Sequence, residues 1–175
     1  MLRFLVAVLI GATAACSLLP RPVEGLGGEA GWSALPLRSW LSEERGVPEA
    51  VALCAAPDCP GRLAVGVIRL SPDEARGAAA ILADPSRLAR ELEARARAPS
   101  RKGAKPRPPT SIEVRPLGMS DRRGFAITLA RRDGTQAVHG AVIATGADEV
   151  VIAIGDVSAE VEDAARRAAR GRGTR

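Results

Sequence analysis

Apolar residues along this chain follow two different spacings, and the switches between them mark its elements. Residues 62–70 and 149–155 are apolar at both odd and even positions, as in strands covered on both faces. Residues 124–131 set Phe125, Ile127 and Leu129 against smaller neighbours, an alternating strand. Residues 111–117 and 135–144 read as further strands, and residues 51–55 as a short earlier one. Asp133-Gly134 predicts a two-residue hairpin turn with positive φ, and residues 145–148 predict another turn.

Helical spacing takes over twice. Ser71, Pro72 and Glu74 make a capping box with proline at the first helical position, after which Ala75, Ala78, Ala79 and Leu82 share one face. Asp84-Pro85 is a second start signal, opening a helix through about Ala96 with Leu88 and Leu92 one turn apart. The segment therefore reads as one kinked helix or two consecutive ones. Ser158 is the expected cap of a final helix with Val161, Ala164, Ala165 and Ala168 on one face. Glu162–Arg166 and Asp163–Arg167 are spaced as i, i+4 pairs with the acid first, the favourable order.

The order β-β-α-β-β-β-β-α predicts an α+β fold. It implies an antiparallel sheet of about six strands flanked by helices on both faces, an α/β/α sandwich. A single domain is expected over residues 32–170. It begins with an apolar stretch (Trp32, Leu35, Leu37, Trp40, Leu41) that docks on the core without an assignable element. Residues 99–109 interrupt the domain with a basic, proline-rich loop, and residues 171–175 are a basic tail.

Ahead of this domain, Arg3 is followed by an apolar run from Phe4 to Ala12 that is too short to span a bilayer, then by small residues and Cys16. Residues 1–16 resemble a bacterial lipoprotein signal peptide. Ala14, Ala15 and Cys16 match the end of its lipobox, while Thr13 stands where that family prefers Leu. The resemblance implies removal of residues 1–15 and a diacylated Cys16 that anchors the chain to a membrane. Ser17 is not the acidic residue associated with inner-membrane retention, which by analogy favours the outer membrane. A second reading stays open. Ala12 and Ala14 also fit an ordinary secretory cleavage site, which would release a soluble periplasmic or secreted protein. Residues 16–31, rich in Gly and Pro, read as a flexible tether.

The cysteines bear on both readings. Three in an exported chain leave one to explain, and acylation of Cys16 leaves the pair Cys54 and Cys59. With Pro57 and Asp58 between them as turn formers, these are expected to form a disulfide. A redox dithiol of the thioredoxin type has two intervening residues rather than four.

Composition removes several function classes. The single histidine excludes a multi-histidine metal centre, and two Phe, two Trp and no Tyr cannot build a base-stacking platform. Neither glycine-rich segment has the spacing of a phosphate loop, and no calcium-loop spacing occurs. No cofactor, metal or nucleic-acid partner is therefore expected. His139 is read as a half-exposed strand residue; Thr128, Thr135 and Ser120 are candidate hydroxyls, but none lies in a nucleophile-elbow sequence. Charge is the directional feature. The chain has 25 basic and 20 acidic residues, a net +5 that becomes +4 once Arg3 leaves with the leader. It concentrates in Arg101, Lys102, Lys105 and Arg107, and in Arg166, Arg167, Arg170, Arg172 and Arg175. Such clusters attract anionic lipid surfaces or acidic proteins, though a solvated basic face is the plainer reading.

In element order, size and exported context, residues 47–170 are similar to the Mog1/PsbP/DcrB-like superfamily. The similarity rests on residues 62–70 leading into the helix capped at Ser71, and on residues 125–155 followed by the helix from Ser158. The aromatic-rich opening hairpin usual there has no clear counterpart, and residues 99–109 look like an insertion. The resemblance implies an accessory domain without catalysis. The expected function is thus a non-enzymatic, lipid-anchored envelope protein that binds an envelope protein or anionic surface. Two alternatives remain: a small-ligand carrier using a cleft between the sheet and residues 71–98, and a small hydrolase using His139.

Overall fold

The computed structural model describes residues 22–26, 31–34, 47–97, 110–131, 134 and 136–172. Its strands are β1 (Ser33–Ala34), β2 (Val47–Cys54), β3 (Leu63–Arg69), β4 (Thr110–Pro116), β5 (Gly124–Arg131), β6 (Ala137–Ala144) and β7 (Glu149–Gly155). The helices are α1 (Pro72–Ala83), α2 (Pro85–Arg97) and α3 (Ser158–Gly171). All pairings are antiparallel, in the order β1-β2-β3-β7-β6-β5-β4. The chain leaves β3 through α1 and α2, restarts at the far edge with β4, and meanders back until β7 fills the place beside β3. This explains why β3 and β7 are the most apolar strands: they are central neighbours. The fold is α+β, with seven strands where about six were expected; the additional strand is the two-residue β1 on the edge of β2.

One face of the sheet carries the core. Leu63, Val65 and Val67 of β3 lie on it with Ala141 and Ile143 of β6 and Val151 and Ala153 of β7, all buried. Helix α3 covers them with Val161, Ala164, Ala165, Ala168 and Ala169. Alanine on the helix lets its backbone come close to the branched residues of the sheet, so a small domain still packs densely. Gly155 on this face makes the same allowance, since a Cβ there would lie 2.6 Å from Arg62 O.

The opposite face is apolar but thinly covered. Val142, Ile152, Ile127 and Leu129 are only half-buried, while Val138 is 45% and Ile154 50% exposed. Helix α2 packs along β4, where Ile112 and Val114 are half-buried and the alternate residues Ser111, Glu113 and Arg115 are exposed. No residue of α1 is fully buried; Ala75, Ala78, Ile81 and Leu82 are half-buried. The second helical layer is incomplete, unlike the full layer that a sandwich implies.

The helix signals divide. Ser71 caps α1 as expected: its Oγ accepts from Glu74 N at 3.4 Å and Glu74 Oε2 accepts from Ser71 N at 2.8 Å. Asp84, with φ −137°, separates α1 from α2, so there are two helices rather than one kinked helix. Ser158 is not the cap of α3. Val157 holds that position without a side-chain cap, and the Ser158 hydroxyl, one residue inside, donates to Glu162 Oε1 at 3.2 Å. The β5–β6 turn is longer than the expected two residues. Arg131 N donates to Gln136 O, so the strands close more than two residues apart, while Gly134 keeps the positive φ (+73°).

Part of the stretch read as a tether packs on the domain. Val23 and Leu26 are each 1% exposed and belong to the core. Gly25 lies against α3 at φ +83°, where a Cβ would fall 2.3 Å from Arg167 O. Only glycine meets both conditions. Residues 1–15, Cys16 and residues 99–109 lie outside the described residues.

Candidate functional site

Cys54 ends β2 and is joined to Cys59 by a disulfide, with Cα atoms 5.8 Å apart. Asp58 N and Cys59 N both donate to Ala55 O at 3.1 Å, so the loop is held by its backbone as well. Cys54 is 2% exposed and the loop sits at the edge of the core, a position that braces β2. Cys16, the third cysteine, lies outside the described residues.

His139 is half-buried on β6, directly across from Thr128 on β5. Thr128 Oγ1 lies 3.1 Å from His139 Nδ1. Among the described residues no carboxylate hydrogen-bonds the imidazole. The nearby acid, Asp156, is taken by Arg62, whose Nε and backbone N donate to it at 3.1 and 3.2 Å. Those bonds hold the Asp156 carboxyl below its ordinary range, with a smaller contribution from His139. Thr135 lies outside the described residues, and Ser120 sits in an exposed bend.

The basic residues are split. Arg101, Lys102, Lys105, Arg107 and Arg175 lie outside the described residues. Arg166 pairs with Glu162 at 3.2 Å and Arg167 with Asp163 at 3.0 Å, the i, i+4 partners expected from their spacing. Arg170 is exposed at the end of α3. Arg172 is an enclosed cation, its side chain only 14% exposed, surrounded by Glu149, Glu49 and Glu24. Arg115 adds an ion pair from β4 to Glu162, which is why a glutamate is tolerated 8% exposed on α3. The described part of the C-terminal patch is thus largely neutralised within the fold.

A half-open cleft of about 510 Å³ lies between α1 and the end of the sheet. Leu70, Ala75, Ala78 and Leu82 form its apolar wall, with Ala144 and Val150 on the sheet side. The short alanine side chains of α1 do not fill the space towards the sheet, so α1 stays at most half-buried. Its rim is polar: Asp121, Arg122, Arg123, Thr145 and Glu149. Arg122 Nε is 3.4 Å from Asp121, and its Nη1 donates to Ala169 O, tying the rim to α3. Glu149 accepts from Thr145 Oγ1 at 2.7 Å and from Arg172 Nε at 3.0 Å. The Arg172 bond does most to lower the pKa of this carboxyl, and burial opposes it. Arg123 is exposed and has no ion pair among the described residues. None of these rim residues was singled out from the sequence as a binding residue. The alanine run on α1 was legible as a helical face, but not as one bordering an open cleft.

No group of three His, Cys, Asp or Glu side chains that could hold a metal ion occurs among the described residues, and no described helix is long and apolar enough to cross a membrane. No protein-family model, curated protein or solved structure matches the chain.

Proposed function

We propose that this chain is an exported bacterial envelope protein, anchored on the periplasmic side through a lipidated Cys16 and acting by binding rather than catalysis. The observation that carries the reading is the Cys54–Cys59 disulfide. A bond of this kind belongs to an oxidising compartment, and it leaves Cys16, at the end of a lipobox-like leader, as the one cysteine to account for. The overall plan is read as an α/β/α sandwich of the Mog1/PsbP/DcrB-like type with an incomplete second layer. In support are α3 on one face, α1 and α2 towards the other, and the strand–helix order. The partner class is an envelope protein or an anionic lipid surface. Labelled palmitate should enter the wild-type chain and not Cys16→Ala, which should move from the membrane to the soluble fraction. Unlabelled wild type in the soluble fraction would overturn the anchor.

The cleft beside α1 favours a second reading, a carrier of small ligands. The hydrolase reading lacks such support, because among the described residues His139 hydrogen-bonds only Thr128 and its nearby acid is bound to Arg62.

A further inference from the structure

We propose that the cleft between α1 and the sheet binds a single-chain amphiphile with one anionic head, such as a fatty-acid carboxylate. The inference deepens the carrier reading, on which it rests, by naming the ligand class. Its basis is the division of the cleft into two chemistries. One wall is hydrocarbon: Leu70, Ala75, Ala78 and Leu82, continued by Ala144 and Val150. About 510 Å³ falls within the range of small-molecule pockets. A slender, flexible chain suits a wall of methyl groups running along a helix, whereas a rigid ring system would need flat aromatic partners, and none line the cleft.

The rim supplies the sign of the head group. Asp121 lies against Arg122, and Glu149 is held by Arg172 and Thr145, so each rim carboxylate is already matched. Arg123 is the rim cation with no ion pair to a described residue. A carboxylate takes two parallel hydrogen bonds from one guanidinium, which makes Arg123 the head-group contact. The Thr145 hydroxyl, committed to Glu149, does not compete for it.

The position of the cleft relative to the leader gives it a source of ligand. Glu149 on the rim shares Arg172 with Glu24, so the described N-terminal segment enters the domain beside the cleft. The stretch from Cys16 to Pro22 spans at most about 20 Å. With Cys16 acylated, the point where the chain enters the domain would be tethered within roughly that distance of a bilayer that holds single-chain amphiphiles. The chain's own lipid is the competing source, and a test on a chain without it separates the two.

The test is calorimetric titration of dodecanoate, below its micellar concentration, into the full chain carrying Cys16→Ala. The expected result is one saturable site that Ala79→Trp, made at an exposed position facing the cleft, abolishes. Arg123→Gln should weaken dodecanoate about tenfold, the usual size of a charge-assisted contact. Dodecanol should bind less tightly than dodecanoate and ignore Arg123→Gln. Equal binding of the two, untouched by Arg123→Gln, would overturn the anionic head while leaving a carrier of apolar chains. No saturable binding of either by a chain with native circular dichroism would overturn the carrier reading too. Dodecanoate binding that survives both Ala79→Trp and Ala75→Trp would place the ligand elsewhere and sink the proposal.

Discussion

Arg172, just past the end of α3, grips Glu149 at the start of β7: its Nε lies 3.0 Å from Oε1 and its Nη2 bonds Oε2. The same Nη2 reaches Glu49 of β2 at 2.6 Å, and Nη1 is 3.8 Å from Glu24 in the N-terminal segment. One guanidinium therefore ties together four parts of the chain that are far apart in sequence. Replacing it strips Glu149 of its two-pronged partner and leaves Glu49 with Arg69 alone of its two arginines. Arg172→Leu should cost about 2 kcal/mol in urea unfolding, the scale of charge-assisted hydrogen bonds. Arg172→Lys should recover only part of it, because an ammonium lacks the planar fork. Arg170→Ala, at a nearby exposed position outside the cluster, should stay within about 0.5 kcal/mol of wild type.

Acid should undo this cluster. The Arg172 bond, helped by Thr145, lowers the Glu149 pKa in the folded chain. A carboxylate lowered on folding adds stability above its unfolded value, about 4.3, and loses it as the pH falls through the folded value. Wild-type Tm should therefore drop steeply below about pH 4. Glu149→Gln should start lower at neutral pH and lose less on acidification. Equal acid limbs in a thermal scan series would contradict the assignment.

Two glycines should answer oppositely to alanine. At Gly155 a Cβ would lie 2.6 Å from Arg62 O and 3.0 Å from Val161 Cγ2, and Arg62 O is fixed as the acceptor of Asp156 N. Gly155→Ala should cost about 2 kcal/mol, the scale of an overpacked core. Gly77, inside α1, has nothing within 4 Å of its would-be Cβ. Gly77→Ala should raise stability by about 0.8 kcal/mol through helix propensity. Thermal unfolding of both variants checks the pair.

The Cys54–Cys59 bond closes a short loop, so its loss should be felt but survived. Cys54→Ala with Cys59→Ala should cost about 2 kcal/mol on the chain-entropy scale, read from urea midpoints with and without reductant. Reductant should lower the wild-type midpoint and leave the double variant unmoved.

Against these contacts, what the sequence revealed follows a physical divide. Periodicity placed β5 and β7 to the residue, because both alternate or run apolar between clear turn formers. The helix after Ser71 was equally plain, since a capping box is a local signal. Two-residue β1 has no period to detect; it exists because Ser33 and Ala34 find Leu53 and Ala52 on an open edge. Strand β2 starts ahead of the expected Val51, at Val47, because Pro48 and Glu49 look like loop residues. There the register shifts between Pro48 and Ala50, and Glu49 is held by Arg69 and Arg172. Such long-range partners are invisible to local pattern. Lone acids on otherwise apolar strands, Glu49 and Glu149, were the available hint that an enclosed cation exists. Arg172 itself read as one charge among many in a basic tail. The cleft was harder still: a run of alanines shows a helical face, and only tertiary structure shows that the face borders an open cleft.

Export and anchoring at Cys16 can be read from the intact mass of the protein taken from the membrane fraction, beside Cys16→Ala. The wild-type chain should begin at Cys16 and carry diacylglycerol plus a third acyl chain, with the Cys54–Cys59 bond intact. An unmodified chain beginning at Ala15 or Cys16, recovered from the soluble fraction, would contradict the anchoring.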